Sequence, residues 1–265
     1  MLQIERQEKI LQYINNNKRT STEQLATELG VSQPTIRRDI DSLDKRGLIR
    51  KVHGGAISVH STSLHEIPYS DKVNVNEPIK QKIGAAAAKL IEPNDIIILD
   101  SGTTTLEVAK NIVKPNITVL TNDIKISEEL ALKDNVQTLV CGGLLHNSVY
   151  TLTGNMPVDF FKKFHVNKLF LGCDALDFSF GLSDRSNETA DVKRAMIGAA
   201  YETILVTDSS KLNKKAFCYV CELSTINTII IDKLEKKELY FLKEKGIHVI
   251  QTDISDRFQE ILGTV

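Results

Sequence analysis

The chain has 265 residues, with 33 Lys and Arg against 34 Asp and Glu for a net charge of −1, and 42% of its residues are hydrophobic. That is the composition of a globular protein long enough for one large domain and one small one. It excludes a uniformly basic nucleic-acid coat, though not a local basic face, and no apolar run approaches the ~18 residues of a membrane span.

The chain opens on MLQIERQEKILQ, which is charged and periodic, unlike a signal peptide, so a cytoplasmic location is expected. Ile4, Ile10, Leu11 and Ile14 fall on one face at helical spacing, and the polar NNNKRT ends that helix. Thr20 or Ser21 can cap a second helix over STEQLATELG, with Glu23 or Gln24 completing a capping box according to register. This helix buries Leu25 and Leu29, and Gly30 suits its left-handed stop. Ser32 then caps a third helix from about Gln33 to Arg46, with Pro34 in its first turn and Ile36, Ile40 and Leu43 inward. The following GLIRKVHGGAISV alternates around Gly54-Gly55 as a β-hairpin, with Arg50, Lys51 and His53 near its tip.

Three short helices with a tight Gly-Val-Ser turn, followed by a hairpin, have the plan of a winged helix-turn-helix. The end of the third helix that would enter a major groove carries Ser32, Gln33, Thr35, Arg37 and Arg38. Gln can pair with adenine, Arg with guanine, and Thr with a phosphate or a thymine methyl. Residues 31–60 hold a balance of +3, leaving −4 on the rest, a basic patch on an acidic chain. The segment TSTEQLATELGVSQPTIRRDIDSLDKRGLIRKVHGGA resembles the DNA-binding domain of the DeoR family of bacterial transcriptional regulators. The resemblance rests on the Ser32-x-x-Thr35-Ile36-Arg37-Arg38-Asp39 run, Leu43, Gly47 and Val52-His53-Gly54-Gly55-Ala56. It implies double-stranded operator DNA read by Ser32 to Arg38.

Residues 58–77 are polar and aperiodic, with Pro68, and Pro78 directly after them, and are expected to be a linker between domains at 1–57 and 78–265. Beyond it, IKQKIGAAAAKLI is helical, and DIIILD, ITVLT, VQTLVCGG, KLFLGCD, TILVTD, TIIID and HVIQTD are short, β-branched and nearly all apolar. Helical stretches alternate with them, which predicts an α/β domain whose mostly parallel sheet is covered on both faces. Ligands bind such sheets outside the carboxyl ends of the strands. The residues there are Asp100-Ser101-Gly102-Thr103-Thr104, Thr121-Asn122, Gly142-Gly143, Asp174 and Asp208-Ser209-Ser210-Lys211, with Glu188 and Lys193 between the last two groups. Hydroxyls, amides and two lysines suit a phosphate, and carboxylates and Asn suit sugar hydroxyls. Small residues opening a helix after DIIILD form an anion cradle that is neither a Walker A loop nor a dinucleotide fingerprint.

These positions also resemble the DeoR-family effector domain, similar in fold to ribose-5-phosphate isomerase. The resemblance implies a phosphorylated sugar that modulates operator binding, with Ser101 to Thr104 on the phosphate and Asp100, Asn122, Gly142, Asp174, Glu188 and Lys211 around the sugar. Helix-turn-helix proteins commonly read two half-sites as dimers, so a homo-oligomer (dimer or tetramer) is expected. An isomerase-like enzyme using Asp100, Asp174, Glu188 and Lys211 is the alternative, and the attached DNA reader argues against it. A redox sensor at Cys218 and Cys221 is a third possibility, set back by their apolar surround. Cys-x-x-Cys alone lacks the ligands of a zinc site, and neither a metal nor a cofactor is expected.

Overall fold

The computed structural model describes residues 2–17, 19–46, 48–52, 54–58, 68–146 and 148–253. They fall into two compact units, one ending at Pro68 and one beginning at Tyr69.

The smaller unit runs α1 (Gln3–Asn17), β1 (Arg19–Ser21), α2 (Thr22–Leu29), α3 (Gln33–Lys45), β2 (Ile49–Val52) and β3 (Gly55–Ser58). Ser21 takes the capping role on α2: its hydroxyl accepts from Gln24 N–H at 3.1 Å, and the Gln24 side chain accepts from Ser21 N–H at 3.0 Å. Gly30 ends the helix at φ +64°, in the left-handed region. Ile10, Ile14, Leu25, Ile36, Ile40, Leu43, Ile49 and Ala56 form the core, and Leu29 packs at its margin. The sequence pattern missed β1. The strand pairs antiparallel with β3, giving the order β1-β3-β2. Gly55 permits this, because a Cβ there would collide with the Thr20 carbonyl.

The larger unit starts inside the segment expected to be linker. Residues Tyr69–Val73 form α4 and Glu77 opens α5 (Glu77–Ala88), so the boundary at 78 is set too late. The reason is length: a five-residue helix has too few turns to show a period. The remaining expected linker residues, 59–67, lie outside the described residues, as do Gly47 and His53. For Arg50 only the backbone is described.

From α5 the chain runs β4 (Ile96–Leu99), α6 (Thr103–Lys110), β5 (Ile117–Thr121), α7 (Ile124–Leu130) and β6 (Val136–Val140). A hairpin, β7 (Leu144–His146) with β8 (Thr151–Thr153), leads through α8 (Asn155–Phe161) to β9 (Val166–Leu171). Next come β10 (Ala175–Asp177), β11 (Gly181–Asp184), α9 (Asn187–Ala199), β12 (Ala200–Val206), β13 (Cys218–Cys221), β14 (Thr228–Ile231), α10 (Lys236–Glu244) and β15 (His248–Gln251). All seven strands expected from the sequence form one sheet, and each pair in it is parallel, in the order β15-β14-β12-β9-β4-β5-β6. The chain builds outward from β4 to β6, returns to lay β9 on the other side of β4, and builds outward again to β15. The order therefore reverses between β4 and β9, which makes their carboxyl ends the expected ligand crevice.

Two apolar layers cover the sheet. Alternation along β4 puts Ile97 and Leu99 in one layer, with Ile83 and Ala87 of α5 and Val108 and Ala109 of α6. Ile98 faces the other, with Phe161 of α8, Met196 of α9 and Leu242 of α10. Helices α5 and α6 touch backbone to backbone at Gly84, where a Cβ would stand 2.5 Å from the Glu107 carbonyl carbon. Lys80 and Thr103 lie one turn back from that contact, both at the carboxyl edge of the sheet.

Candidate functional site

In the smaller unit, Ser32, Gln33, Arg37 and Arg38 are exposed at the start of α3, and Thr35 is half-buried. Ser32 and Thr35 share a hydroxyl–hydroxyl bond of 2.9 Å, which orders the first turn. Lys51 of the wing turns back to α3: its ammonium meets Asp41 at 2.5 Å and its N–H donates to Asp44 at 2.7 Å. Asp39, adjacent to the Arg pair, faces inward. It takes Arg6 Nε at 2.5 Å and Gln7 Nε2 at 3.2 Å, and Arg46 donates to Gln7 at 3.1 Å. This polar network bolts α1 to α3 and leaves Arg37 and Arg38 on the free face.

In the larger unit, the ends of β4 and β9 are tied together. Gly172 N–H donates to Asp100 Oδ2 at 2.9 Å. Lys193, 4% exposed, reaches the same oxygen at 2.6 Å, the Gly172 carbonyl at 2.8 Å and Asp184 at 3.2 Å. Burial alone would lower the Lys193 pKa, but Asp100 and Asp184 override it and hold the ammonium above its ordinary range. Lys193 is thus a cross-brace. Beside it Asp174 meets Lys72 at 3.5 Å and Arg185 at 3.3 Å. Burial pushes its carboxyl up, and Lys72 and Arg185 outweigh that to hold it well below the usual carboxylate range.

Gly102 begins α6 without a side-chain cap, so the N–H groups of its first turn point at the crevice. Thr103 is buried, and Ser101 and Thr104 are half-buried. Gly102 N–H itself donates to Asp123 at 3.1 Å, and that carboxylate also caps α7 through Lys125 N–H and Ile126 N–H. Burial pushes Asp123 up to about 6 against those three hydrogen bonds. Thr121 accepts from Asp123 N–H, and Asn122 donates to the Leu152 carbonyl at 3.1 Å. Asp100 Oδ1 and Asn122 Oδ1, at the ends of adjacent strands, are buried acceptors without a partner.

A basic rim closes this edge. Lys80 is buried, donates to the Lys72 carbonyl at 2.5 Å, and is driven down to about 8 by burial, with Lys211 and Lys72 opposing its charge and Asp208 favouring it. Asn76 donates to Asp208 at 3.1 Å, and Asp208 also holds Ser210 N–H. The sequence passed over Lys72, Asn76, Lys80, Asp123 and Arg185. The first three sit in or beside the segment read as linker, and a lone Lys on a helical pattern carries no signal of its own.

Other expected residues lie elsewhere. Glu188, five residues before Lys193, falls on a different side of α9; it is exposed and accepts from Ser186 at 2.7 Å. It lines a separate open groove of about 340 Å³ with Lys162 and Arg194. Gly142 and Gly143 follow β6, where added Cβ atoms would come within 2.9 Å of Met156 and of Pro157 and the Thr153 carbonyl, which is a packing requirement. The four cysteines are free thiols; burial raises all of them, Cys141 and Cys173 to about 12 and Cys221 to about 11. A thiol so placed is a poor nucleophile, which tells against redox sensing at Cys218 and Cys221. Among the described residues, no cluster of His, Cys, Asp or Glu could hold a metal ion, and no helix is long and apolar enough to cross a membrane.

Residues 6–62 match the DeoR-like helix-turn-helix domain and residues 75–233 the DeoR C terminal sensor domain. The chain belongs to the DeoR family. It is 33% identical to an uncharacterized HTH-type transcriptional regulator, YulB, of Bacillus subtilis, over 97% of this chain and all of that protein. It is also 33% identical to the putative aga operon transcriptional repressor of Escherichia coli O157:H7, over 93% of each chain. Ribose 5-phosphate isomerase A from Methanocaldococcus jannaschii overlaps 52% of this chain and 55% of its own with a TM-score of 0.38 at 16% identity, a likeness too distant to decide anything. As a DeoR-family regulator, the chain pairs a DNA-binding helix-turn-helix with a sensor domain, and its relatives are transcriptional regulators rather than enzymes.

Proposed function

We propose that this DeoR-family chain is a cytoplasmic repressor of a carbohydrate operon, which reads double-stranded operator DNA through α3 and loses affinity for it when a sugar phosphate enters the crevice of the larger unit. The observation that carries this reading is the composition of the crevice. The open first turn of α6 and Lys80 supply an anion site, and the orphan acceptors Asp100 Oδ1 and Asn122 Oδ1 call for hydroxyl donors. A phosphate with a polyol attached satisfies both halves. The functional unit is a homo-oligomer, dimer or tetramer, that presents two α3 helices to two half-sites.

Isomerase chemistry needs a group that moves a proton near neutral pH. Of the residues the sequence offered for it, Asp174 is held ionised between two cations and Glu188 lies outside the crevice. Asp123 at about 6 and Lys80 at about 8 are the crevice groups in that range, so turnover of a sugar phosphate by the parent chain, lost in Asp123→Asn, would overturn the regulator reading.

The experiment is thermal unfolding of the purified chain against a panel of sugar phosphates and their parent sugars. One phosphorylated sugar raises the melting temperature, its parent sugar does not, and Thr103→Asp or Lys80→Met abolishes the shift. Arg37→Ala keeps that shift and loses operator binding by about 1–3 kcal/mol in a mobility-shift titration. A panel with no shift, or an Arg37→Ala variant with intact operator binding, overturns the reading.

A further inference from the structure

Among the described residues β6 pairs with β5 alone, so it is an edge of the sheet. The bonds from Ile117 N–H to the Asn135 carbonyl and from Cys141 N–H to the Thr121 carbonyl, both 3.1 Å, turn residues 135 and 141 toward β5. Alternation then turns the N–H and C=O groups of Thr138 and Val140 and the carbonyl of Val136 outward, while the Val136 N–H turns back to the Lys133 carbonyl at 3.3 Å. Edge strands are normally blunted with charges, prolines or bulges. This one reads VQTLV, has none of these, and leaves Val140 41% exposed. Thr138 Oγ1 is buried and has no hydrogen-bond partner.

The strand is a near-palindrome about Thr138. We propose that β6 is the seam of a homodimer, in which two copies join their sheets antiparallel about a two-fold axis through Thr138. The inference rests on the self-association proposed above and gives it a place. In that register Thr138 faces the partner's Thr138 and Val136 faces the partner's Val140. Thr138 then bonds the partner's Thr138 through both its N–H and its C=O, and the Val136 carbonyl accepts from the partner's Val140 N–H. Thr–Thr and Val–Val are favourable cross-strand pairs. The same axis carries Leu132, 84% exposed, toward the end of the seam where the partner's Leu144 and the partner's Met156 lie, each also largely exposed on the single chain. An isologous contact of this kind closes on itself and leaves no edge for further strands at that end of the sheet.

The test is sedimentation equilibrium of the full chain with two variants. Thr138→Lys sets two ammonium groups against each other at the axis. It is expected to raise the dimer dissociation constant by about 100-fold or more, with an unchanged circular dichroism spectrum and an unchanged thermal shift with sugar phosphate. Thr138→Cys is expected to give a covalent dimer under mild oxidation, since Cα atoms of a hydrogen-bonded antiparallel pair stand about 5.5 Å apart, within disulfide reach. A Thr138→Lys chain that still dimerises as the parent does moves the interface elsewhere and leaves self-association standing. A parent chain that stays monomeric at tens of micromolar overturns both. If Thr138→Lys fails to fold, the oxidised Thr138→Cys chain decides, and an absence of covalent dimer overturns the seam.

Discussion

Two buried groups at the crevice titrate within reach of ordinary buffers. Asp123 stands at about 6 in the folded chain against 3.8 for an ordinary Asp, with burial as the largest cause. A carboxyl raised on folding contributes stability that is complete below its unfolded value and is lost as pH rises through its folded one. Its contribution therefore falls between about pH 4 and pH 6, by about 3 kcal/mol at most. Asp123→Asn keeps an oxygen to cap α7 and removes the titration. Its melting temperature relative to the parent should climb between pH 4.5 and pH 7.5; a constant difference would show that Asp123 titrates normally. Lys80, down at about 8 through burial, has the opposite use. Its ammonium is the form that binds an anion, so sugar-phosphate affinity should fall as pH rises through about 8, and Lys80→Arg, charged throughout, should flatten that profile in calorimetric titrations.

Elements are held by a few close approaches that the sequence announces unevenly. Gly84→Ala would drive a Cβ into the Glu107 backbone, separate α5 from α6 and cost about 1–3 kcal/mol by overpacking. Because Lys80 and Thr103 ride on those helices, weaker sugar-phosphate binding should accompany the loss; chemical denaturation with ligand titration checks both. The seven strands of the sheet were legible because each is a β-branched apolar run between polar turns, and strands covered on both faces cannot be written otherwise. Helix α3 was legible from Ile36, Ile40 and Leu43 at helical spacing, but the Ser32 hydroxyl pairs with Thr35 rather than capping the helix backbone. Strand β1 was not, since three residues, Arg19–Ser21, carry no period and their pairing depends on Gly55, more than thirty positions away. In the crevice, Asp100, Asn122, Asp174 and Asp208 were legible as strand ends. The partners that fix their roles come from α4, α5 and α9, and a separation such as 72 to 174 leaves no local trace. Glu188 was misplaced for a related reason: proximity in sequence to Lys193 says nothing about which side of the helix each occupies.

At the scale of the whole chain, two units with separate cores should unfold in separable steps, and the sugar phosphate proposed above would act on one of them. Saturating sugar phosphate, at about 100 times its dissociation constant, should raise the transition of the larger unit by on the order of 5–10 °C and leave that of the smaller unit in place in a calorimetric scan. A shift of both would mean that the units melt as one. The short helix α4 has a practical consequence for anyone who cuts the chain in two. It brings Lys72 to Asp174, and Asn76 just beyond it reaches Asp208, so the first residues after the boundary are also part of the wall of the crevice. A sensor fragment begun at Tyr69 keeps that wall. One begun at Pro78, where the sequence pattern alone invites the cut, would keep all seven strands and both apolar layers and still lack two of the side chains that line its mouth. A null binding result from such a fragment would report on the scissors rather than on the sensor.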